Sequence, residues 1–307
     1  MAGGSTPGGR PGAATEIDVE GRRLRLSNLD KVLYPEVGFT KAGVVDYYAR
    51  IAPMMLPHLA RRPVTLVRYP NGVDGGSFFE KRCPPHRPEW VTTGRVDGRE
   101  PVEHCVLDDL PSLIWVANLA ALELHTPQAT VDDPDRPTAI VFDLDPGAPA
   151  GILDCCRVAL DVRELLAVAG LDSVVKTSGS KGLHLAAPVR DASAEATKVV
   201  ARAVGEAIAS HDPDRVTVTM ARNIRPGKVF VDWSQNDRHK TTVAAYSLRA
   251  RAHPTVSTPL RWEEVSDALD AGDAEALTFE AADTLARVER YGDLYAGVLG
   301  PGSPLPG

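Results

Sequence analysis

Cysteine is scarce in this chain of 307 residues, with only Cys83, Cys105, Cys155 and Cys156. Nothing in the sequence suggests export, so all four are expected as free thiols in a reducing cytoplasm. Cys83 with His86, and His104 with Cys105, offer sulfur and imidazole ligands, but the pairs are irregular and lie among prolines, which makes zinc the weaker reading. No run of 18 apolar residues occurs, which excludes a transmembrane helix and a membrane partner. A signal peptide is lacking too: Met1 to Ala14 is rich in Gly, Pro and Ala without an apolar core, and reads as a flexible tail over residues 1–15. Positive charge is in deficit, with a net charge of −7, which argues against a nucleic-acid partner only if the charge is spread evenly. It is not. Between Arg215 and Arg251 eight Lys/Arg stand against two Asp/Glu, whereas from Arg261 onward three stand against ten. A local basic surface is what phosphate contact requires; the plain alternative is a solvated face.

The length suits one large domain or two small ones, and 43% hydrophobic with 24% charged residues is ordinary for a soluble globular protein. Residues 16–26 alternate polar and apolar around Glu20-Gly21 and predict a β-hairpin. Asn28 to Pro35 reads as a short turn or helix closed by proline. Thr40 is an N-cap for a helix through Leu59, with Val44, Tyr48, Ile51 and Met55 at helical spacing. Val64 to Tyr69 is a strand. Leu110 to Leu124 predicts a helix with His125 at its C-terminus, where the imidazole would serve as a cap. Ile152 to Ala169 and Ala194 to Ser210 are further helices, and Val174 to Thr177 and Lys228 to Asn236 further strands.

The stretch Val141-Phe142-Asp143-Leu144-Asp145-Pro146 carries the most chemistry. Side chains alternate along a strand, so Asp143 and Asp145 share one face. Two carboxylates so placed repel and are costly to desolvate, unless a divalent cation lies between them. Carboxylate oxygens are the hard ligands that Mg²⁺ and Mn²⁺ prefer. The preceding Ala139-Ile140-Val141-Phe142 is too apolar for the competing reading, an exposed strand end with two surface acids. Asp232, flanked by Val231 and Trp233, supplies the third carboxylate that a pair of metals needs. Ser178-Gly179-Ser180-Lys181-Gly182-Leu183-His184 is a glycine-rich turn whose free N–H groups and Ser, Lys and His side chains suit polyphosphate oxygens, although its spacing is not a Walker motif. Phe78 and Phe79, adjacent in a glycine- and charge-rich connection, read either as core or as a stacking platform for bases.

Taken in order, Asn28 to Pro35, Phe78-Phe79-Glu80-Lys81, Arg87 to Val91, Glu123-Leu124-His125, Phe142 to Pro146, Ser178 to His184 and Val229 to Asp232 resemble the archaeo-eukaryotic primase superfamily, and more closely the polymerase domain of bacterial ligase D and its stand-alone actinobacterial relatives. The resemblance implies an α/β (α+β) primase-polymerase fold, with central mixed or antiparallel sheets flanked by helices, over a single catalytic domain at residues 16–300, followed by a tail at 301–307. It implies a template-dependent nucleotidyltransferase that fills short gaps or ends in DNA repair of the end-joining type and prefers ribonucleotides. Asp143, Asp145 and Asp232 would hold two ions, Mn²⁺ favoured over Mg²⁺. Ser178, Lys181 and His184 with Arg249 would hold the incoming triphosphate, and His125 the ribose 2′-OH. Lys31 and Lys41, with Asn28, would grip the 5′-phosphate of gapped or broken DNA, and Phe78 and Phe79 would stack on the template. End-joining or ligase proteins are the implied partners, in the cytoplasm at the nucleoid. Two other readings use the same residues: a metal-dependent phosphohydrolase or nuclease, and a non-catalytic DNA-end-binding module. The polyphosphate cradle opposes the first, and the intact carboxylate set the second.

Overall fold

A computed structural model describes residues 14–97 and 100–306. The tail expected at the N-terminus lies outside these residues, apart from its last two. The alternating segment at the start forms the predicted hairpin, β1 (Thr15–Val19) with β2 (Arg22–Leu26), turning at Glu20-Gly21. Asn28 to Lys31 forms the expected turn, the Lys31 N–H donating to the Asn28 carbonyl, but Val32–Tyr34 is a short strand, β3, paired with β4 (Phe39–Thr40). Helix α1 (Lys41–Leu59) begins as predicted, the Thr40 hydroxyl accepting from the Gly43 N–H.

Next come β5 (Thr65–Arg68), β6 (Phe78–Glu80) and the hairpin of β7 (Thr93–Val96) with β8 (Val102–Cys105). The expectation of four free thiols is wrong for two of them. The segment before β8 brings Cys83 beside Glu103, with the Cys83 N–H donating to the Glu103 carbonyl, and Cys83 is disulfide-bonded to Cys105. Those sulfurs are thereby removed from any zinc site; Cys155 and Cys156 are free and buried.

The apolar run Leu110 to Leu124 is not one helix. It divides into α2 (Leu110–Asn118) and β9 (Ala121–Thr126), joined through Ala120 at φ 59°. Both pieces are buried on all sides, so neither shows the periodicity that separates helix from strand. His125 consequently belongs to a strand and caps no helix. The chain continues through β10 (Ala139–Pro146), α3 (Ile152–Val168), β11 (Val174–Thr177), β12 (Leu183–Pro188), α4 (Ala194–His211), β13 (Val216–Thr217), β14 (Val229–Asp232), β15 (Thr242–Val243), β16 (Pro259–Leu260), α5 (Trp262–Ala271) and α6 (Ala281–Tyr291). Ser303 pairs with Val189, and Leu305 packs against the core beside it.

Two sheets organise these elements. One runs β13-β14-β10-β12-β11-β16 and is antiparallel except at β13–β14; the other runs β15-β9-β5-β6. Alternation along the strands sorts the side chains. Ile140, Phe142, Leu144, Leu183, Leu185, Val229 and Val231 face α3, α4 and α5 in one core. Val141 and Ala186 point the other way, toward the second core built on α1, α2 and the four-stranded sheet. The polar residues of β10, β12 and β14 therefore emerge in the cleft between the sheets. The architecture is the mixed α/β fold with antiparallel sheets expected from the motifs.

Candidate active site

The strand order places four chemistry-bearing residues in one row across the six-stranded sheet. Asp232 pairs with Asp143, Asp143 with His184, and His184 with Lys176. Asp145 lies two residues beyond Asp143 on the same face, nearer the sheet end. The acids thus sit at one end of the row and the bases at the other.

Electrostatics follow this order. Burial pushes the Asp145 carboxyl up, and the neighbouring Asp143 and Asp232 charges push it further, to about 7. Burial also acts on Asp143, but the His184 imidazole outweighs it, assisted by Lys176 and Arg249, and holds that carboxyl below its ordinary value. His184 Nε2 is 3.1 Å from Asp143 Oδ1. Asp232 accepts from the Ser234 N–H and hydroxyl through Oδ1 and from Gln235 Nε2 through Oδ2.

The carboxylates are not closed into a cage. No group of three or more His, Cys, Asp or Glu side chains near enough to share an ion occurs among the described residues. The donor chemistry nevertheless fits a hard divalent cation: three carboxyl groups share one face, and burial, with the charge of the other two, holds one of them partly protonated near neutral pH. Asp232 Oδ2 accepts only from Gln235, which leaves it a lone pair for a cation.

Sequence reasoning missed Lys176. It is 2% exposed, and its Nζ lies 3.0 Å from His184 Nδ1, 3.1 Å from the Val243 carbonyl and 2.7 Å from Ser257 Oγ. Ser257 Oγ donates its own proton to the Thr177 carbonyl, so it accepts from the lysine. Three acceptors use all three protons of an ammonium group. Burial pushes Lys176 down to about 7, and Arg249 adds to this; the bonding pattern favours the charged form. With Nδ1 accepting, His184 carries its proton on Nε2. In Val174-Val175-Lys176-Thr177 nothing marks this lysine as special, because its partners lie on three other strands or loops.

The glycine-rich turn after β11 is built by close approach. A Cβ on Gly182 would fall 2.0 Å from the Leu144 carbonyl oxygen, and one on Gly179, at φ +66°, 2.7 Å from Arg249 Cγ. The Ser178 hydroxyl accepts from the N–H groups of Ser180 and Gly182, and the Ser178 carbonyl accepts from Arg249. Lys181 is exposed at the tip of the turn.

Across the cleft, Glu123 and His125 lie on one face of β9. Glu123 was also missed. Its carboxylate holds His125 Nε2 at 2.9 Å, faces Arg249 Nε at 3.1 Å and accepts from the Ala250 N–H. Burial raises the Glu123 carboxyl, but these three partners outweigh it and bring it down to about 2. Phe79 lies near His125, with ring centroids 6.4 Å apart. Phe78 and Phe79 are 56% and 58% exposed, because β6 is a short edge strand uncovered on both faces. The core reading of this pair is therefore excluded.

Lys31 and Lys41 are brought together at the far end of the four-stranded sheet. The Lys41 N–H donates to the Lys31 carbonyl, and the Lys31 N–H to that of Asn28. Lys31 Nζ donates to Asn71 Oδ1, and Lys41 Nζ to the Ser27 carbonyl. Burial pushes Lys41 down to about 8, and Lys31 and Arg68 push in the same direction. A lysine lowered by burial and by neighbouring cations gains from an anion bound beside it. Arg68 lies near enough to act on Lys41 but is itself paired with both carboxylate oxygens of Glu80, at 2.9 and 3.0 Å.

The family model described as the primase-polymerase domain of LigD matches residues 40–295. The multifunctional non-homologous end joining protein LigD of Mycolicibacterium smegmatis is 44% identical over 278 residues, which cover 89% of this chain and 36% of that protein. The bifunctional LigD of Bacillus subtilis is 33% identical over 80% of this chain and 40% of its own length. The chain thus spans little more than a third of the length of these relatives. The polymerase domain of Mycobacterium tuberculosis ligase D, solved in complex with DNA, superposes with a TM-score of 0.86 at 42% identity, covering 91% of this chain and 99% of that one. The chain belongs to the LigD primase-polymerase domain family and is a nucleotidyltransferase of that class.

Proposed function

We propose that this chain extends a 3′-hydroxyl across a short gap or break in DNA, opposite a template and in end-joining repair, using ribonucleotides in preference to deoxyribonucleotides. The observation that carries the reading is the face shared by Asp143, Asp145 and Asp232, opposed across the cleft by His125 held on Glu123. Asp143, Asp145 and Asp232 would hold two divalent ions, Mn²⁺ favoured over Mg²⁺. Bound there, the ions would lower the pKa of the attacking hydroxyl and neutralise charge on the triphosphate and departing pyrophosphate.

The chain's own groups supply the rest. The Ser178–His184 turn, with His184, Lys181 and Arg249, takes the triphosphate. His125, its ring fixed by Glu123, meets the ribose 2′-OH, which both donates and accepts. Lys31 and Lys41, with Asn28 at their turn, take the 5′-phosphate beyond the gap, and Phe78 and Phe79 stack on template bases. Partners would be gapped or broken DNA and the ligase and other end-joining proteins that seal it, at the nucleoid in the cytoplasm; no helix among the described residues is long and apolar enough to cross a membrane. Incubation with a labelled gapped duplex, Mn²⁺ and nucleotides tests the reading: extension supports it, shortening indicates a nuclease, and a mobility shift without chemistry indicates a binding module.

A further inference from the structure

In Glu123-Leu124-His125 the imidazole has a substrate group to meet and the carboxylate has none, yet the carboxylate is the more heavily bonded of the two. Glu123 is 7% exposed, and its two oxygens serve different parts of the molecule. Oε2 holds His125 Nε2 at 2.9 Å, on the four-stranded sheet and at the sugar position. Oε1 accepts from the Ala250 N–H at 3.0 Å and lies 3.1 Å from Arg249 Nε. Those partners open the segment 249–255, which seats the glycine-rich turn of the six-stranded sheet. Within it Arg249 Nη1 donates to the Ser178 carbonyl at 2.6 Å, Thr255 Oγ1 to the Gly179 carbonyl at 2.7 Å and Arg251 to Ser180 Oγ at 2.5 Å. Three successive residues of the turn thus hang on one segment, and Glu123 joins that segment to His125.

Charge balance alone does not account for this arrangement. An arginine and a carboxylate that only neutralise each other commonly pair through two parallel bonds. Here one carboxylate oxygen is given to His125, and the guanidinium gives Nη1 to Ser178. Arg249 Nε is at ion-pair distance from Oε1, but its N–H is not aimed there and makes no hydrogen bond among the described residues. A buried donor in that state costs stability until a bond is completed. The main chain on both sides is fixed. The Leu124 N–H donates to Ser247 Oγ, the Leu124 carbonyl accepts from the Ala244 N–H, and Tyr34 donates to the Arg249 carbonyl. Adjustment is therefore left to the side chains of His125, Glu123 and Arg249.

We propose that Glu123 is a positioning residue that couples recognition of the sugar to placement of the triphosphate; this rests on the polymerase reading, from which it takes the roles of His125 and of the turn. A 2′-OH bonded to His125 orders the imidazole and, through Oε2, the carboxylate. Oε1 then stands in one place for Arg249 Nε, and Arg249 in turn holds Ser178. Coupling of this kind is reciprocal. A triphosphate that orders Arg249 strengthens the grip on the 2′-OH by the same factor. The preference for ribose is then greatest in nucleotides that carry all three phosphates.

The test is a set of equilibrium affinities for ATP, dATP, AMP and dAMP, measured with Mn²⁺ and without DNA by displacement of a fluorescent nucleotide. In wild type the ratio of ribose to deoxyribose affinity is larger for the triphosphates than for the monophosphates by at least about fivefold, the lower end of typical coupling. In Glu123→Gln, which keeps the shape and removes the charge, the two ratios become equal. Affinity for dAMP, which lacks both the 2′-OH and the outer phosphates, is nearly unchanged. Glu123→Asp, which keeps the charge on a shorter arm, restores part of the difference. Equal ratios in wild type overturn the proposal without any variant. Glu123→Gln lowering all four affinities by one factor also overturns it, and makes Glu123 a plain buried counter-ion. Binding is read apart from chemistry. A wild type with the coupled pattern that extends no primer refutes the polymerase reading and leaves the coupling standing; one that extends primers but shows equal ratios does the reverse.

Discussion

Lys176 faces His184 across the ladder between β11 and β12, its ammonium 3.0 Å from Nδ1, and His184 in turn reaches Asp143 at 3.1 Å. A buried cation three strands from Asp232 thus sets which nitrogen of His184 carries the proton. Lys176→Met removes the ammonium at similar length. The expected result is a loss of about tenfold or more in kcat/KM for nucleotide, the scale of one charge-assisted hydrogen bond to a triphosphate, with gapped-DNA affinity nearly unchanged. Steady-state kinetics beside equilibrium binding checks it; equal loss of both would make the lysine a structural prop.

Asp145 predicts an unusual pH response in the metal-free protein. Its folded pKa is raised to about 7 from 3.8, so between these values the folded state binds more protons than the unfolded one. Stability from this group is then present at low pH and lost as pH rises toward and through 7. Asp145→Asn should raise the melting temperature at pH 8 in chelator and have much less effect near pH 4, where Asp145 is protonated in the folded state. Mn²⁺ should stabilise wild type more at pH 8 than at pH 5, and the Asn variant little at either. Thermal melts over pH 4–8 decide this, and a wild type that gains stability relative to the variant as pH rises would contradict it.

His125 is held by Glu123 rather than standing at a helix end. His125→Ala should narrow the preference for ribonucleotides by about 1–2 kcal/mol, the scale of one hydrogen bond to a polar partner. Competition between a nucleotide and its deoxy form measures it. A uniform loss on both would assign His125 to holding Glu123 in place.

Lys31→Ala with Lys41→Ala should weaken binding to 5′-phosphorylated gaps and much less to 5′-hydroxyl gaps, lowering the salt slope by roughly one unit for each charge lost. With the Lys41 pKa at about 8, the wild-type preference for the phosphate should also decline between pH 7 and pH 9, as the ammonium loses its proton. Titration of both ends at two salt concentrations checks both statements.

The parts of this site that were legible in the sequence are those that alternation or steric need expresses locally. Asp143 and Asp145 share a face because strands have period two, and Gly179 and Gly182 mark a turn that approaches Arg249 and the Leu144 carbonyl. The illegible parts depend on strand order. Lys176 acquires its role only because β12 lies between β11 and β10. Leu110 to Leu124 misled because a helix and a strand buried on all sides look alike as apolar sequence. Cys83 and Cys105 misled for a different reason: a backbone bond to Glu103 joins segments 22 residues apart.

Extension of a labelled primer into a short 5′-phosphorylated gap, with Mn²⁺ and a single complementary ribonucleotide, tests the central claim most directly. Wild type should add the nucleotide that the template dictates, and Asp232→Ala should lose at least about a hundredfold in rate, the scale of removing one preorganised electrostatic group, while still shifting the gapped duplex. Full activity in Asp232→Ala, or a wild type that shortens the primer or leaves it unchanged, would contradict the three-carboxylate polymerase site.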